Sequence, residues 1–151
     1  MRVLEYGKEH EKTLLFLPCT AEPVWAFEKT VALLAQSWHV FQVVYDGHEP
    51  SYPGDFTSVE QTVDEITGYL RAQGVTCLDA AYGCSLGGSF VGLLAARGNI
   101  RMDYGILGSS DLDQSSKFAA KLQTNLLLSL MFPMLRDGRF KSPLLQKRVE
   151  K

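Results

Sequence analysis

The chain has 151 residues, a formal net charge of −2 at pH 7 and an apolar share of 46%. That is one domain's length with enough apolar residues for an ordinary core, so disorder is not the default expectation. No basic block or aromatic-basic stripe marks a nucleic-acid surface; charges interrupt "MRVLEYGKEHEK" too early for a signal peptide; and the longest apolar patch, "LLLSLMFPML" at 126–135, is too short for a membrane span and contains Pro133.

In chain order, "RVLEYG" (2–7) predicts a short first strand, and "TLLFLP" (13–18) a strand covered on both faces and stopped by Pro18. The stretch 22–38 places Trp25, Val31, Leu34 and Trp38 near helical spacing, with Pro23 suited to a first turn. "HVFQVVYDG" (39–47) is β-branched and aromatic and ends in an Asp46-Gly47 turn. Residues 57–74 form an amphipathic helix through Val59, Val63, Ile66 and Leu70, with Thr57 and Glu60 as a capping box and Gly74 as the stop. "CLDAAYG" (77–83) is a third strand after the first short one, 86–97 a helix rich in small residues, and "DYGILGSS" (103–110) a fourth strand. Alternation of this kind predicts βαβ crossovers, a mostly parallel sheet and helices on both faces. Residues 111–137 break the rhythm as one or two helices, and 138–151 form a basic tail. The expected organisation is a core over 1–110, a helical segment over 111–137 and a tail over 138–151.

Cys19, Cys77 and Cys84 include no CxxC pair. An odd count without a leader points to reduced thiols in the cytoplasm, each expected as a small buried apolar residue rather than a ligand or redox site. Neither metal nor cofactor is expected. Gly88 is followed by Ser89, so a P-loop's lysine is missing, and Ser85 stands where a dinucleotide fingerprint has its second glycine.

The strongest local signal is "GCSLGG", which matches G-x-S-x-G at Gly83, Ser85 and Gly87, with Gly88 after it. A nucleophile between a buried strand and a helix must project from a sharp turn, and glycines two before and two after leave room for neighbouring backbone. The N–H of Leu86, at the helix start, can then face a developing oxyanion. The competing reading is a small-residue turn that only permits close packing.

At these residues the sequence resembles the α/β-hydrolase superfamily, over most of residues 13–110 and in motif order. "LLFLPCTAE" resembles the strand and oxyanion loop, "VVYDGHEPSYPG" the strand and following D-x-x-G-x-G loop, and "YGCSLGG" the nucleophile elbow. The resemblance implies an α/β-hydrolase-like fold in its N-terminal portion, without the usual last strands and followed by cap-like helices. It also implies hydrolysis of an ester or similar acyl bond through an acyl-enzyme on Ser85, with a small acyl substrate and no cofactor. The N–H of Cys19 or Thr20 would then be the second oxyanion donor.

The family's triad runs Ser, then acid, then His. All three histidines here, His10, His39 and His48, precede Ser85. His48 is the one at the sheet end where Ser85 should emerge; a catalytic role stands beside a structural role in its loop. His39 is expected at the opposite end and His10 in a solvated charged turn. Asp111 is the acid for a minority of the family; the other reading makes Asp111 or Ser110 a helix cap. The rival function is a non-catalytic binding or assembly module, self-associating through the 103–110 edge strand or the apolar 122–135 surface.

Overall fold

In the computed structural model, which describes residues 1–20, 22–49 and 54–110 together with 118, 121, 122 and 124–126, the chain divides into Met1–Leu112 and Asp113–Lys151. The first unit is built on five strands, β1 (Arg2–Tyr6), β2 (Thr13–Leu17), β3 (His39–Val44), β4 (Cys77–Cys84) and β5 (Arg101–Gly108). Their spatial order is β1-β3-β2-β4-β5. β1 runs antiparallel to β3, and the other neighbours are parallel. Three helices connect them: α1 (Glu28–Leu34), α2 (Val59–Ala72) and α3 (Leu86–Arg97).

The near-continuous apolar run of β2 is explained by two covered faces, because successive side chains on a strand point to opposite sides. Leu15 and Leu17 join Phe41 and Val43 in one core with Val63, Ile66 and Leu70 of α2 and Phe90, Val91 and Leu94 of α3. Leu14 and Phe16 join Val40 and Val31 of α1 in a second core on the other face. The chain steps one way from β2 to β3, then the opposite way to β4 and β5. Right-handed crossovers in opposite directions put helices on opposite faces, as the strand–helix alternation predicts.

Two local expectations shift. The stretch 22–38 is not one helix: a 3-10 turn, Val24–Phe27, precedes α1. Phe27 leaves helical geometry at φ −107° and packs edge-on against Phe16, ring centroids 5.1 Å apart. The cap of α2 is Ser58, whose hydroxyl accepts from the Gln61 N–H at 3.2 Å, while Thr57 bonds the Asp55 carbonyl instead.

β5 lies at the edge of the sheet among the described residues, with Tyr104 and Ile106 71% and 49% exposed. Together with Phe16, Trp38 and Tyr82 they line an apolar groove of about 610 Å³ on the α1 face. In the second unit, the described positions 118, 121, 122 and 124–126 are helical. Phe118, Leu122 and Leu126 follow at four-residue spacing and are exposed. Asp111 and the tail at 138–151 lie outside the described residues, as does most of the 111–137 segment. Among the described residues no helix is long and apolar enough to cross a membrane.

Candidate active site

β2 and β4 are neighbours, yet the connections leaving them run to opposite faces of the sheet. The carboxyl ends of such a strand pair open a crevice, where parallel α/β sheets bind ligands. Two segments singled out from the sequence meet there: Pro18-Cys19-Thr20 after β2, and Ser85 after β4. Register fixes their closeness, since Leu17 lies opposite Gly83.

Ser85 has φ 50° and ψ −113°, a region almost reserved for glycine that costs a residue with a side chain roughly 1–3 kcal/mol. The neighbouring structure holds it there. Its N–H donates to the Gly108 carbonyl at 2.8 Å, extending the β4–β5 ladder by one residue. Its carbonyl accepts from the Gly88 N–H at 3.0 Å and from the Ser110 hydroxyl at 3.1 Å. Ser85 is the N-cap residue of α3, but its hydroxyl makes no capping bond and its side chain is exposed. A serine at that position ordinarily satisfies a helix N–H; here the backbone twist turns the hydroxyl away from the helix it begins.

The glycines are spatial necessities. A Cβ on Gly83 would strike the backbone of Gly87 and Gly88; one on Gly87 would strike the carbonyls of Leu17 and Pro18; one on Gly88 would strike the Ser110 side chain. The start of α3 is thereby drawn against the end of β2. The Tyr45 hydroxyl donates to the buried Pro18 carbonyl at 3.0 Å and anchors the loop that carries Cys19 and Thr20. Burial pushes the Tyr45 phenol up, reinforced by the Cys19 and Cys84 thiols, so it remains a donor. Tyr45 was not singled out from the sequence, and Ser110 only as an alternative helix cap; each acts on a partner 25 or more positions away.

Cys19, after β2, and Cys84, the last residue of β4, lie at the same end of the sheet. Burial, then the Glu22 carboxylate and then Cys84 push the Cys19 thiol up to about 12. The expectation that the cysteines are buried is corrected: Cys19, Cys77 and Cys84 are all half-buried free thiols, because Cys19 and Cys84 sit at strand ends and Cys77 starts β4.

The histidines are engaged elsewhere. His48 Nδ1 lies 2.9 Å from the Asp46 carbonyl of its own turn, and the ring packs edge-on between Tyr45 and Phe56. His39 opens β3 at the opposite end of the sheet, with Nε2 2.9 Å from Glu5. His10 is not simply solvated: its Nε2 lies 3.1 Å from the Ala35 carbonyl, which half-buries it. Asp46 is 2.9 Å from the Met1 ammonium, which also meets Glu65 at 3.1 Å. Among the described residues no group of three or more His, Cys, Asp or Glu side chains is arranged to hold a metal.

A mostly parallel sheet with helices on both faces, and a strained serine at a strand-to-helix turn, define the α/β-hydrolase fold, and the chain has that fold. Solved structures match it: an alpha/beta hydrolase family protein from Desulfitobacterium hafniense at a TM-score of 0.76, with 20% identity over 89% of this chain and 54% of that one. A hydrolase from Pseudomonas aeruginosa PA01 follows at 0.70, with 18% identity over 97% and 56%. A monoacylglycerol lipase from Paleococcus ferrophilus matches at 0.65, with 20% identity over 85% and 51%. The chain spans about half the length of these structures. No family model and no curated protein matches the sequence.

Proposed function

We propose that the chain carries the nucleophile half of a serine hydrolase acting on carboxylic esters or similar acyl bonds. The observation that supports this most is the conformation of Ser85, φ 50° and ψ −113°, with its hydroxyl exposed and bonded to no helix N–H. Strain of that size persists where surrounding structure enforces it, and the hydrogen bonds to Gly108, Gly88 and Ser110 do so here. In the proposed reaction the Ser85 Oγ attacks the acyl carbon. The carbonyl oxygen gathers negative charge toward the Leu86 N–H at the start of α3 and the N–H of Cys19 or Thr20. Collapse expels the alcohol and leaves an acyl-enzyme that water cleaves. The proton of Ser85 needs a base, and His48, in the loop at the same end of the sheet, packs between Tyr45 and Phe56 with no hydrogen bond to Ser85 among the described residues. The reading therefore takes the base from polypeptide beyond these 151 residues, and without it only oxyanion stabilisation acts, roughly 10³–10⁴-fold over water.

The second reading, a binding or assembly module, draws on the exposed Tyr104 and Ile106 of β5 and the groove beside them. One experiment separates the two. The protein as expressed from its own gene, and the 151-residue chain, are treated with an alkyl fluorophosphonate. The adduct is expected on the tryptic peptide 72–97, which contains Ser85, and is absent in Ser85→Ala. No adduct from either source, together with a single defined oligomer by light scattering, overturns the hydrolase reading in favour of assembly.

A further inference from the structure

We infer that Tyr45 is a positioning residue for the Ser85 reaction proposed above, on which this role depends: its hydroxyl turns the Pro18–Cys19 peptide so that Thr20, and not Cys19, presents the second N–H to the oxyanion. Tyr45 directly follows β3 and is 1% exposed. Its ring packs on Phe90 of α3, centroids 4.9 Å apart, and edge-on against His48. Its hydroxyl donates to the Pro18 carbonyl, just beyond the end of β2, at 3.0 Å. One side chain thus touches both the helix that starts at the serine and the loop that faces it. The segment after β3 ties that loop a second time, where the Glu49 carboxylate accepts from the Val24 N–H at 3.3 Å.

The direction of one carbonyl decides between the two candidate donors. A trans peptide is planar, and its N–H points opposite to its C=O. The Pro18 oxygen lies against the start of α3, since a Cβ on Gly87 would come within 2.8 Å of it. The Cys19 N–H, at the other end of the same peptide, therefore points away from that helix. It does not converge with the Leu86 N–H on one oxygen. Thr20 is the next residue along, is exposed, and has an N–H that no hydrogen bond among the described residues occupies. Without the Tyr45 hydroxyl the Pro18 carbonyl is buried and unsatisfied, which favours rotation of its peptide toward another partner and carries Thr20 with it.

Tyr45→Phe separates positioning from packing. It keeps the ring on Phe90 and against His48 and removes only the oxygen. The Ser85 turn itself, held by Gly108, Gly88 and Ser110, stays in place. A misplaced oxyanion donor slows the bond-making step and leaves the probe binding that precedes it unchanged. A hydroxyl that only satisfies a buried carbonyl lowers stability without that split. Ser58→Ala, which removes the α2 cap, supplies the control for lost stability.

The test follows reaction with an alkyl fluorophosphonate, whose phosphonyl oxygen stands where the oxyanion would form. The protein as expressed from its own gene is isotope-labelled for amide NMR. In the wild-type adduct the Leu86 and Thr20 amide protons are expected to move downfield and the Cys19 amide proton to stay. In Tyr45→Phe the maximal labelling rate falls by about ten- to a hundredfold while the half-saturating probe concentration holds within about twofold. The Thr20 shift is lost in the same variant, and Ser58→Ala labels at the wild-type rate. A downfield Cys19 amide overturns the donor assignment. Tyr45→Phe labelling at the wild-type rate, or Ser58→Ala slowing as much as Tyr45→Phe, overturns the positioning role. Should Tyr45→Phe fold incompletely, the wild-type adduct decides alone: a moved Thr20 amide supports the role and an unmoved one overturns it. A wild-type protein that never labels overturns the Ser85 reading and the role of Tyr45 with it, whereas a labelled wild type with an unmoved Thr20 amide overturns the role alone.

Discussion

A methyl group at Gly87 would meet the carbonyls of Leu17 and Pro18, which are backbone and cannot rotate away. Gly87→Ala must therefore push α3 off the end of β2. The expected cost is about 2–3 kcal/mol, at the upper end for overpacking, read as a lowered urea midpoint with an unchanged slope. "GCSLGG" was legible because its constraint is local: the glycines that make room lie within three residues of the serine. What keeps Ser85 in place was not. The Ser110 hydroxyl reaches it from 25 positions on, and Tyr45 anchors the facing loop from 27 positions beyond Pro18. Nothing in "GSS" or "VVYD" marks those partners before β2, β3, β4 and β5 are assembled.

Helix ends show where periodicity stops informing. Val59, Val63, Ile66 and Leu70 set α2 by their spacing, and Asp55, Thr57 and Ser58 before it offer polar side chains. Ser58 wins the cap because its extended backbone, φ −163° and ψ 164°, aims the hydroxyl at the Gln61 N–H. Ser58→Ala is expected to destabilise by about 1 kcal/mol in denaturant unfolding, and Thr57→Ala by a few tenths at most. Equal losses would return the cap to Thr57. Residues 22–38 were apolar at helical spacing, yet the sheet draws Phe27 onto Phe16 and splits the segment. Tertiary contact there outweighs local pattern, as it commonly does for short helices. The strands were read within one or two residues because the near-continuous apolar runs of β2 and β3, covered on both faces, end at Pro18 and at the Asp46-Gly47 turn.

Glu5 ties together three elements of the molecule. Its carboxylate accepts from the Tyr69 hydroxyl of α2 at 2.6 Å, lies 2.9 Å from His39 of β3, and meets Lys8 at 3.2 Å. Burial works to raise its pKa, but the bonds to Tyr69, His39 and Lys8 outweigh it and hold the carboxyl below its ordinary 4.5. A carboxylate with a depressed folded pKa stabilises fully above the unfolded value and loses that contribution as pH falls through the folded one. The stability gap between wild type and Glu5→Gln is therefore expected to be open at pH 7 and to close progressively below pH 4.5; a gap that widens on acidification sinks the assignment. Helices on both faces and a mostly parallel sheet were readable from the strand–helix rhythm, whereas the order β1-β3-β2-β4-β5, which makes β2 and β4 neighbours, came only with the structure. The antiparallel β1 that Glu5 belongs to was readable only as a strand, since pairing direction is not written in five residues. β5 carries a different consequence. The Ser85 amide is bonded to Gly108, and Ser110 just past that strand holds the Ser85 carbonyl, so the Ser85 turn is clamped by the outermost strand of the described sheet. Sheets breathe from their margins inward. In deuterated solvent the Ser85 amide will exchange at the pace of β5 fraying, well ahead of Leu15 or Phe41, and the strained shape of the Ser85 turn will vanish while the core still stands.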